Sequence, residues 1–198
     1  MSVNFKESKT KENLMRAFAG ESQARNRYTF AACTAKNQKL PVIEAVFTFT
    51  AGQEKEHAEI FYNFLAELNG ESLVVDGDYP VNVTNSVAEL LKYARDNEYA
   101  EYEPVYKQFG DTAKEEGFSE IAAAFYNIAE IEKCHGDRFG ELLELLETNK
   151  LFVSDISCKW MCLNCGYVYE GTAVPEACPV CKHEKGYFIR LELAPYSK

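Results

Sequence analysis

Two Glu-x-x-His pairs, Glu54 with His57 and Glu132 with His135, interrupt what would otherwise be apolar helix stripes. Residues three apart on an α-helix share one face, a turn apart. Each pair therefore presents a carboxylate and an imidazole in the same direction. Around the first pair the stripe reads Ile43, Phe47, Thr50, then Phe61, Phe64 and Leu68; around the second it reads Ile121, Phe125, Ile128, then Phe139, Leu142 and Leu146. Two further stripes carry the same interruption: Val87, Leu91, Ala94, Glu98, Glu101, Val105, and Leu14, Phe18, Glu21, then less regularly Arg25 and Tyr28. A buried carboxylate without a partner is costly, and cations at the same level would remove that cost. One Glu from each of two helices plus Glu-x-x-His from each of two others is the ligand set of di-iron or di-manganese carboxylate bundles. The set is also duplicated. Glu21 to Glu54 spans thirty-three positions and Glu98 to Glu132 thirty-four. An isolated Glu-x-x-His is a weak signal, and a single helical Glu is usually solvated; Glu56, Glu59, Glu67, Glu115 and Glu116 are read that way.

Local signals place these stripes on four helices within residues 1–150. Helix A is expected over Lys11 to Lys36, and helix B from Pro41, a favoured first-turn residue, to Asn69-Gly70. Ser86 with Glu89 reads as a capping box opening helix C, which runs to Gly117 with a kink or break at Pro104. Helix D is expected from Ser119 to Asn149. Short A–B and C–D connections make antiparallel hairpins, and the segment from Gly70 to Val83 is the long crossover. Two hairpins joined by one crossover is the ferritin-like form of an all-α four-helix bundle. With 46% apolar and 13% aromatic residues the chain can bury such a core. Its net charge of −10 and the lack of a basic stripe argue against nucleic acid. The start has no apolar secretory stretch and no window is long enough to span a membrane, so a soluble cytoplasmic protein is expected.

After Lys150 the helical period stops. Residues 151–157 are read as a linker and 158–198 as a small β-rich domain, too short to build much core without a metal. Cys162-x-x-Cys165 and Cys178-x-x-Cys181 form two knuckles whose four thiolates make a tetrahedral site for zinc or a single iron. A one-electron iron centre beside a two-metal site has an obvious use, so iron is favoured. Trp160, Tyr167 and Tyr169 are expected to pack over the cluster. Cys33 and Cys134 are read as small helix residues and Cys158 as a linker thiol.

Glu101 exceeds the four-Glu, two-His set. It is either a hydrogen-bond acceptor behind the ligands or a seventh ligand used in one oxidation state. Tyr28, two turns from Glu21, either points its phenol at a ligand carboxylate or simply packs.

The segments AGESQARNRY (19–28), QEKEHAEIF (53–61), NEYAEYEPVY (97–106), EIEKCHGDRF (130–139) and KWMCLNCGYVYEG followed by CPVC (159–181) closely resemble rubrerythrins, in that family's domain order. The resemblance implies two irons held by Glu21, Glu54, His57, Glu98, Glu101, Glu132 and His135. It implies a third, rubredoxin-type iron held by Cys162, Cys165, Cys178 and Cys181, with zinc as a substitute. It places Tyr28 and Tyr106 near the paired irons, and it implies that one iron exchanges between a His and Glu101. One departure stands out: Cys181 is followed by Lys182 where simple rubredoxins have glycine.

The activity so implied is reduction of hydrogen peroxide to water, with electrons from a redox donor protein, rubredoxin or an NADH-dependent reductase. Glu132 to Lys150 is about 27 Å of helix, which carries the chain away from the carboxylate site before the cysteine domain begins. A head-to-tail homodimer, each cysteine domain serving its partner, would close that gap and agrees with the resemblance. An iron-storing ferroxidase with a zinc ribbon is the rival expectation.

Overall fold

A computed structural model describes residues 3–194. Helices α1 (Lys9–Asn37) and α2 (Pro41–Asn63) form one hairpin, and α3 (Val87–Ala100), α4 (Tyr106–Glu116) and α5 (Ser119–Glu147) form the other. α3 and α4 make one broken column, joined by a π-helical turn at Glu101–Val105 in which Glu103 leaves helical geometry. Pro104 explains the break: it has no amide proton to donate and its ring clashes with the preceding turn. Residues 71–86 form the crossover, without a helix or strand.

The ends of the helices follow from capping. Ser8 accepts from the Lys11 amide at 3.1 Å, and Ser86 from the Glu89 amide at 3.3 Å. The second half of the expected capping box is replaced, because the Ser86 amide donates to Thr84 Oγ1 instead. α2 stops at Asn63, short of the expected Asn69-Gly70. Its continuation tightens into a 3₁₀ turn at Ala66–Leu68, which lays Leu65 into the core. Glu116, expected to be solvated, instead caps α1 from the end of α4. Its carboxylate accepts from the Lys9 and Thr10 amides, each at 2.9 Å, and from the Thr10 hydroxyl.

The bundle interior has two apolar clusters. One holds Val42, Phe47, Leu91, Phe139 and Leu142; the other holds Leu14, Phe61, Tyr106, Phe125 and Ile128. The ionisable residues lie between them along every helix. None of the described helices is long and apolar enough to cross a membrane.

The cysteine domain is an antiparallel sheet in the order β2-β1-β3, with β1 at Val153–Cys162, β2 at Val168–Ala173 and β3 at Phe188–Arg190. Trp160, Cys162, Cys178 and Phe188 form its core, with Tyr167 and Tyr169 against it. β1 begins inside the segment 151–157 expected as a linker, where Val153 pairs with Ala173. The sheet folds back onto the bundle: Leu151, Ile189 and Ala194 join the cluster of Val42, Ile43 and Val46. Gly186 meets the α1–α2 turn so closely that a Cβ there would lie 2.9 Å from the Lys39 carbonyl and 2.8 Å from the Pro41 ring.

Candidate metal centres

Four helices bring their mid-height glutamates together. Glu21 of α1, Glu54 of α2, Glu98 of α3 and Glu132 of α5 are at most 1% exposed, with His57 and His135 nearly as buried. They sort into two overlapping groups whose donor atoms lie within 4.8 Å of one another: Glu21, Glu54, His57 and Glu132, and Glu54, Glu98, Glu132 and His135. Glu54 and Glu132 belong to both groups, where ligands shared by two metals would lie. His57 Nδ1 lies 2.9 Å from Glu132 Oε1, and His135 Nδ1 lies 2.8 Å from Glu132 Oε2 and 3.1 Å from Glu54 Oε1.

These atoms fit cations. Eight buried atoms of the set have no hydrogen-bond partner: both oxygens of Glu54 and of Glu132, one each of Glu21 and Glu98, and Nδ1 of both histidines. Lone pairs facing lone pairs in a buried site need positive charge between them. Protons meet that need when no metal does. Burial, then the charges of neighbouring glutamates, holds Glu21 and Glu98 well above the usual carboxylate range. Burial disfavours the charged imidazoles, but the surrounding carboxylates outweigh it. His135 is pushed up to about 12 and His57 is raised strongly as well. Burial also opposes ionisation of Glu54, yet the close approach of the His135 and His57 imidazoles pulls it below its ordinary value.

A second layer orients the ligands. His135 Nε2 lies 3.0 Å from Gln53 Oε1, so a proton on Nε2 leaves Nδ1 free to ligate. Nothing in the sequence marked Gln53, a residue type that is usually solvated. The Tyr28 phenol donates to Glu98 and the Tyr106 phenol to Glu21, each from a different helix column. Both tyrosines are 2% exposed, and burial first, then glutamate charge, raises their pKa values. They stay protonated and remain donors. Tyr28 thus reaches a ligand carboxylate, but on α3 and not on its own helix.

The two halves differ by one residue, and the structure locates it. Tyr28 to Glu54 and Tyr106 to Glu132 both span twenty-six positions, whereas Glu21 to Tyr28 spans seven and Glu98 to Tyr106 eight. The extra residue falls in the π-turn at Glu101–Val105. Such turns insert into helices and recur at functional sites. The halves also differ in chemistry: Glu101 follows Glu98 by three, where buried Ala24 follows Glu21. Glu101 is half-buried and is not among the clustered donors. Burial and then the charges of Glu98, Glu132 and Glu54 raise its carboxyl well above the usual range.

In the small domain the four sulfurs lie within 4.8 Å of one another, with Cys162 to Cys181 and Cys165 to Cys178 both at 3.7 Å. A tetrahedral site with metal–sulfur bonds of about 2.3 Å has edges of about 3.8 Å. The knuckles are alike in backbone. Gly166 (φ +76°) donates its amide to the Cys162 carbonyl at 2.8 Å, and Lys182 (φ +64°) donates to the Cys178 carbonyl at 2.9 Å. Lys182 therefore takes up the left-handed backbone that glycine adopts freely. The His183 amide lowers the Cys181 thiol to about 6. Cys33 and Cys134 are exposed and Cys158 is half-buried, all outside the cluster.

The family model described as rubrerythrin matches residues 12–143, and that of the rubrerythrin rubredoxin-like domain matches residues 160–189. The chain belongs to the rubrerythrin family. The rubrerythrin of Clostridium perfringens is 44% identical over 93% of this chain and 95% of its own length. The rubrerythrin of Nitratidesulfovibrio vulgaris is 39% identical over 93% and 95%. Among solved structures, fully reduced nigerythrin, described as all ferrous, aligns with a TM-score of 0.63 at 29% identity, covering 96% of this chain and 88% of that one. The bacterioferritin of Desulfovibrio desulfuricans, described as having a diiron site, aligns with a TM-score of 0.63 at 26% identity over 72% and 82%. The chain thus has a ferritin-like bundle with two overlapping clusters of carboxylate and imidazole donors, and a rubredoxin-like domain with four clustered thiols.

Proposed function

We propose that the chain is a peroxidase that reduces hydrogen peroxide to water, protecting the cell from oxidative stress. The balanced reaction takes one peroxide, two electrons and two protons to two waters. Glu21, Glu54, His57, Glu98, Glu132 and His135 would hold two ferrous ions, which would supply those two electrons when bound. Glu54 and Glu132 set the spacing of the pair, and Tyr28 and Tyr106 fix the terminal carboxylates of Glu98 and Glu21. Glu101, half-buried one turn after Glu98, is placed to serve the pair as a seventh carboxylate. Cys162, Cys165, Cys178 and Cys181 would hold one iron, which would pass single electrons from an external donor, a rubredoxin or an NADH-dependent reductase.

The observation that carries this reading is the presence of both donor sets in one packed unit. The cysteine domain shares a core with the first half of α2, and from Val46 to Glu54 is only about 12 Å of helix. Nigerythrin's all-ferrous state and the bacterioferritin's diiron site support iron as the metal. A head-to-tail homodimer remains part of the proposal, although the sheet's return to its own bundle also opens a route within one chain.

Steady-state assays separate this reading from ferroxidase storage. The iron-loaded chain with reductant should consume peroxide over many turnovers, and Glu54→Ala should abolish this. Oxidation that instead consumes added ferrous iron in proportion, with iron accumulating beyond three per chain, would favour storage and overturn the peroxidase proposal.

A further inference from the structure

Glu101 is the least buried carboxylate facing the site, and it opens onto a cavity of about 280 Å³. The walls include Arg16 and Gly20 of α1 together with Glu101 and Tyr106, and the roof is the crossover at Tyr79 and Pro80. Two of the wall residues are therefore already tied to the candidate metal donors: Tyr106 through its bond to Glu21, and Glu101 by its place one turn after Glu98.

The roof is held by a small clasp. The Tyr79 hydroxyl donates to the Arg16 carbonyl at 3.0 Å. The Arg16 guanidinium returns to the crossover, with Nη2 at 2.7 Å from Asp76 Oδ1 and Nε at 3.1 Å from the Asp76 carbonyl. The Tyr79 ring lies over Gly20, the residue before Glu21, and folds so tightly on Gly77 that a Cβ there would meet it at 2.5 Å. The Asp76 side chain is 92% exposed, so this ion pair is screened and weak. Nearby Val74, Val81 and Val83 are almost fully exposed and add little burial to hold the crossover down.

We propose that Asp76–Pro80 is a hinged roof over the oxidant's entrance, and that Tyr79 sets the size of hydroperoxide admitted to Glu101. The identity of the oxidant rests on the peroxidase reading; the entrance itself does not. Removing the Tyr79 ring widens the cavity directly beside Gly20. Removing the Asp76 charge frees the roof at its exposed end and leaves the cavity wall intact.

The test compares wild type, Tyr79→Ala and Asp76→Asn as reduced, iron-loaded full chains. The first readout is the rate at which a ferrous chelator strips iron from the carboxylate site, with absorbance of the cysteine site after reoxidation as the internal control. The second is the ratio of reactivity with cumene hydroperoxide to that with hydrogen peroxide. Tyr79→Ala should raise both, the ratio by about tenfold. Asp76→Asn should speed iron release by less, and its advantage should shrink as salt rises. Release rates equal to wild type in both variants would overturn the roof. Faster release in a chain inert to every hydroperoxide would leave the entrance standing and bring down the peroxidase reading instead.

Discussion

The Tyr28 phenol donates to Glu98, seventy positions away on a different helix, and Tyr106 repays the contact by donating to Glu21 on the helix that carries Tyr28. The two halves of the duplicated bundle are therefore cross-tied through Glu98 and Glu21, one from each candidate donor group. Tyr28→Phe and Tyr106→Phe each leave one buried carboxylate oxygen without its donor, a loss of about 1–3 kcal/mol. Both variants should fold and take up metal, with reaction toward peroxide slowed by about tenfold to a hundredfold. The double variant should fall short of the product of the single effects, because both ties hold one site. Stopped-flow oxidation of the reduced proteins measures all three.

The metal-free chain should lose stability as pH rises from about 5 to about 8. Glu21, Glu98 and Glu101 have raised pKa values from burial, so the folded state holds protons there that the unfolded state has released. His57 and His135 act in the same direction: their raised folded pKa values give stability that is full below the unfolded value, near 6.5, and lost as pH climbs toward the folded one. Glu54, lowered, is ionised in both states across this window and adds no slope. Divalent metal displaces these protons, so metal uptake should release protons and tighten with pH. Urea midpoints of the chelator-treated chain against pH, with proton release on loading, check both signs.

Glu116 should contribute to stability independently of metal. Burial opposes its ionisation, but the Thr10 hydroxyl and the Lys9 and Thr10 amides outweigh that and lower its pKa. Glu116→Ala should cost about 1–2 kcal/mol at neutral pH. Because the folded pKa is depressed, the wild-type advantage should persist above the unfolded value and fade as pH falls through the folded one. Chemical denaturation of both proteins at neutral and acid pH reads this out.

Gly186→Ala should detach the cysteine domain without unfolding it. The added methyl would meet backbone at the α1–α2 turn, which has little room to give. Trp160, the chain's only tryptophan, is fully buried in the small domain and far from that contact in sequence. Its emission should stay blue while the bundle patch around Val42 and Val46 becomes accessible to an apolar dye. A red-shifted Trp160 would mean that the domain depends on docking for its own fold.

The clustering of Glu21, Glu54, His57, Glu98, Glu132 and His135 was legible because ionisable residues on apolar stripes have few explanations, and because duplication repeats the pattern. The two knuckles were equally plain from spacing. Glu101 stood out as a surplus on the same face, yet its open cavity depends on the crossover, whose irregular backbone leaves no periodic trace. Pro104 announced a break, but whether it would yield a kink or an inserted turn depends on how the two halves align across the bundle. Gln53 and Glu116 were invisible for a related reason: each acts on a partner from another helix, and their residue types are ordinarily solvated. The early end of α2 came from Leu65 being drawn into the core, a tertiary effect that local helix propensity does not contain.

The central claim is that peroxide is reduced at the carboxylate site with electrons from the cysteine site. It is tested most directly by mixing fully reduced, iron-loaded chain anaerobically with a small excess of hydrogen peroxide and following the ferric-thiolate absorption. The account predicts that this absorption returns rapidly in wild type and fails to return at that rate in Glu54→Ala, whose cysteine site is intact. Return at the same rate in Glu54→Ala would show the cysteine site reacting on its own, and would contradict the account.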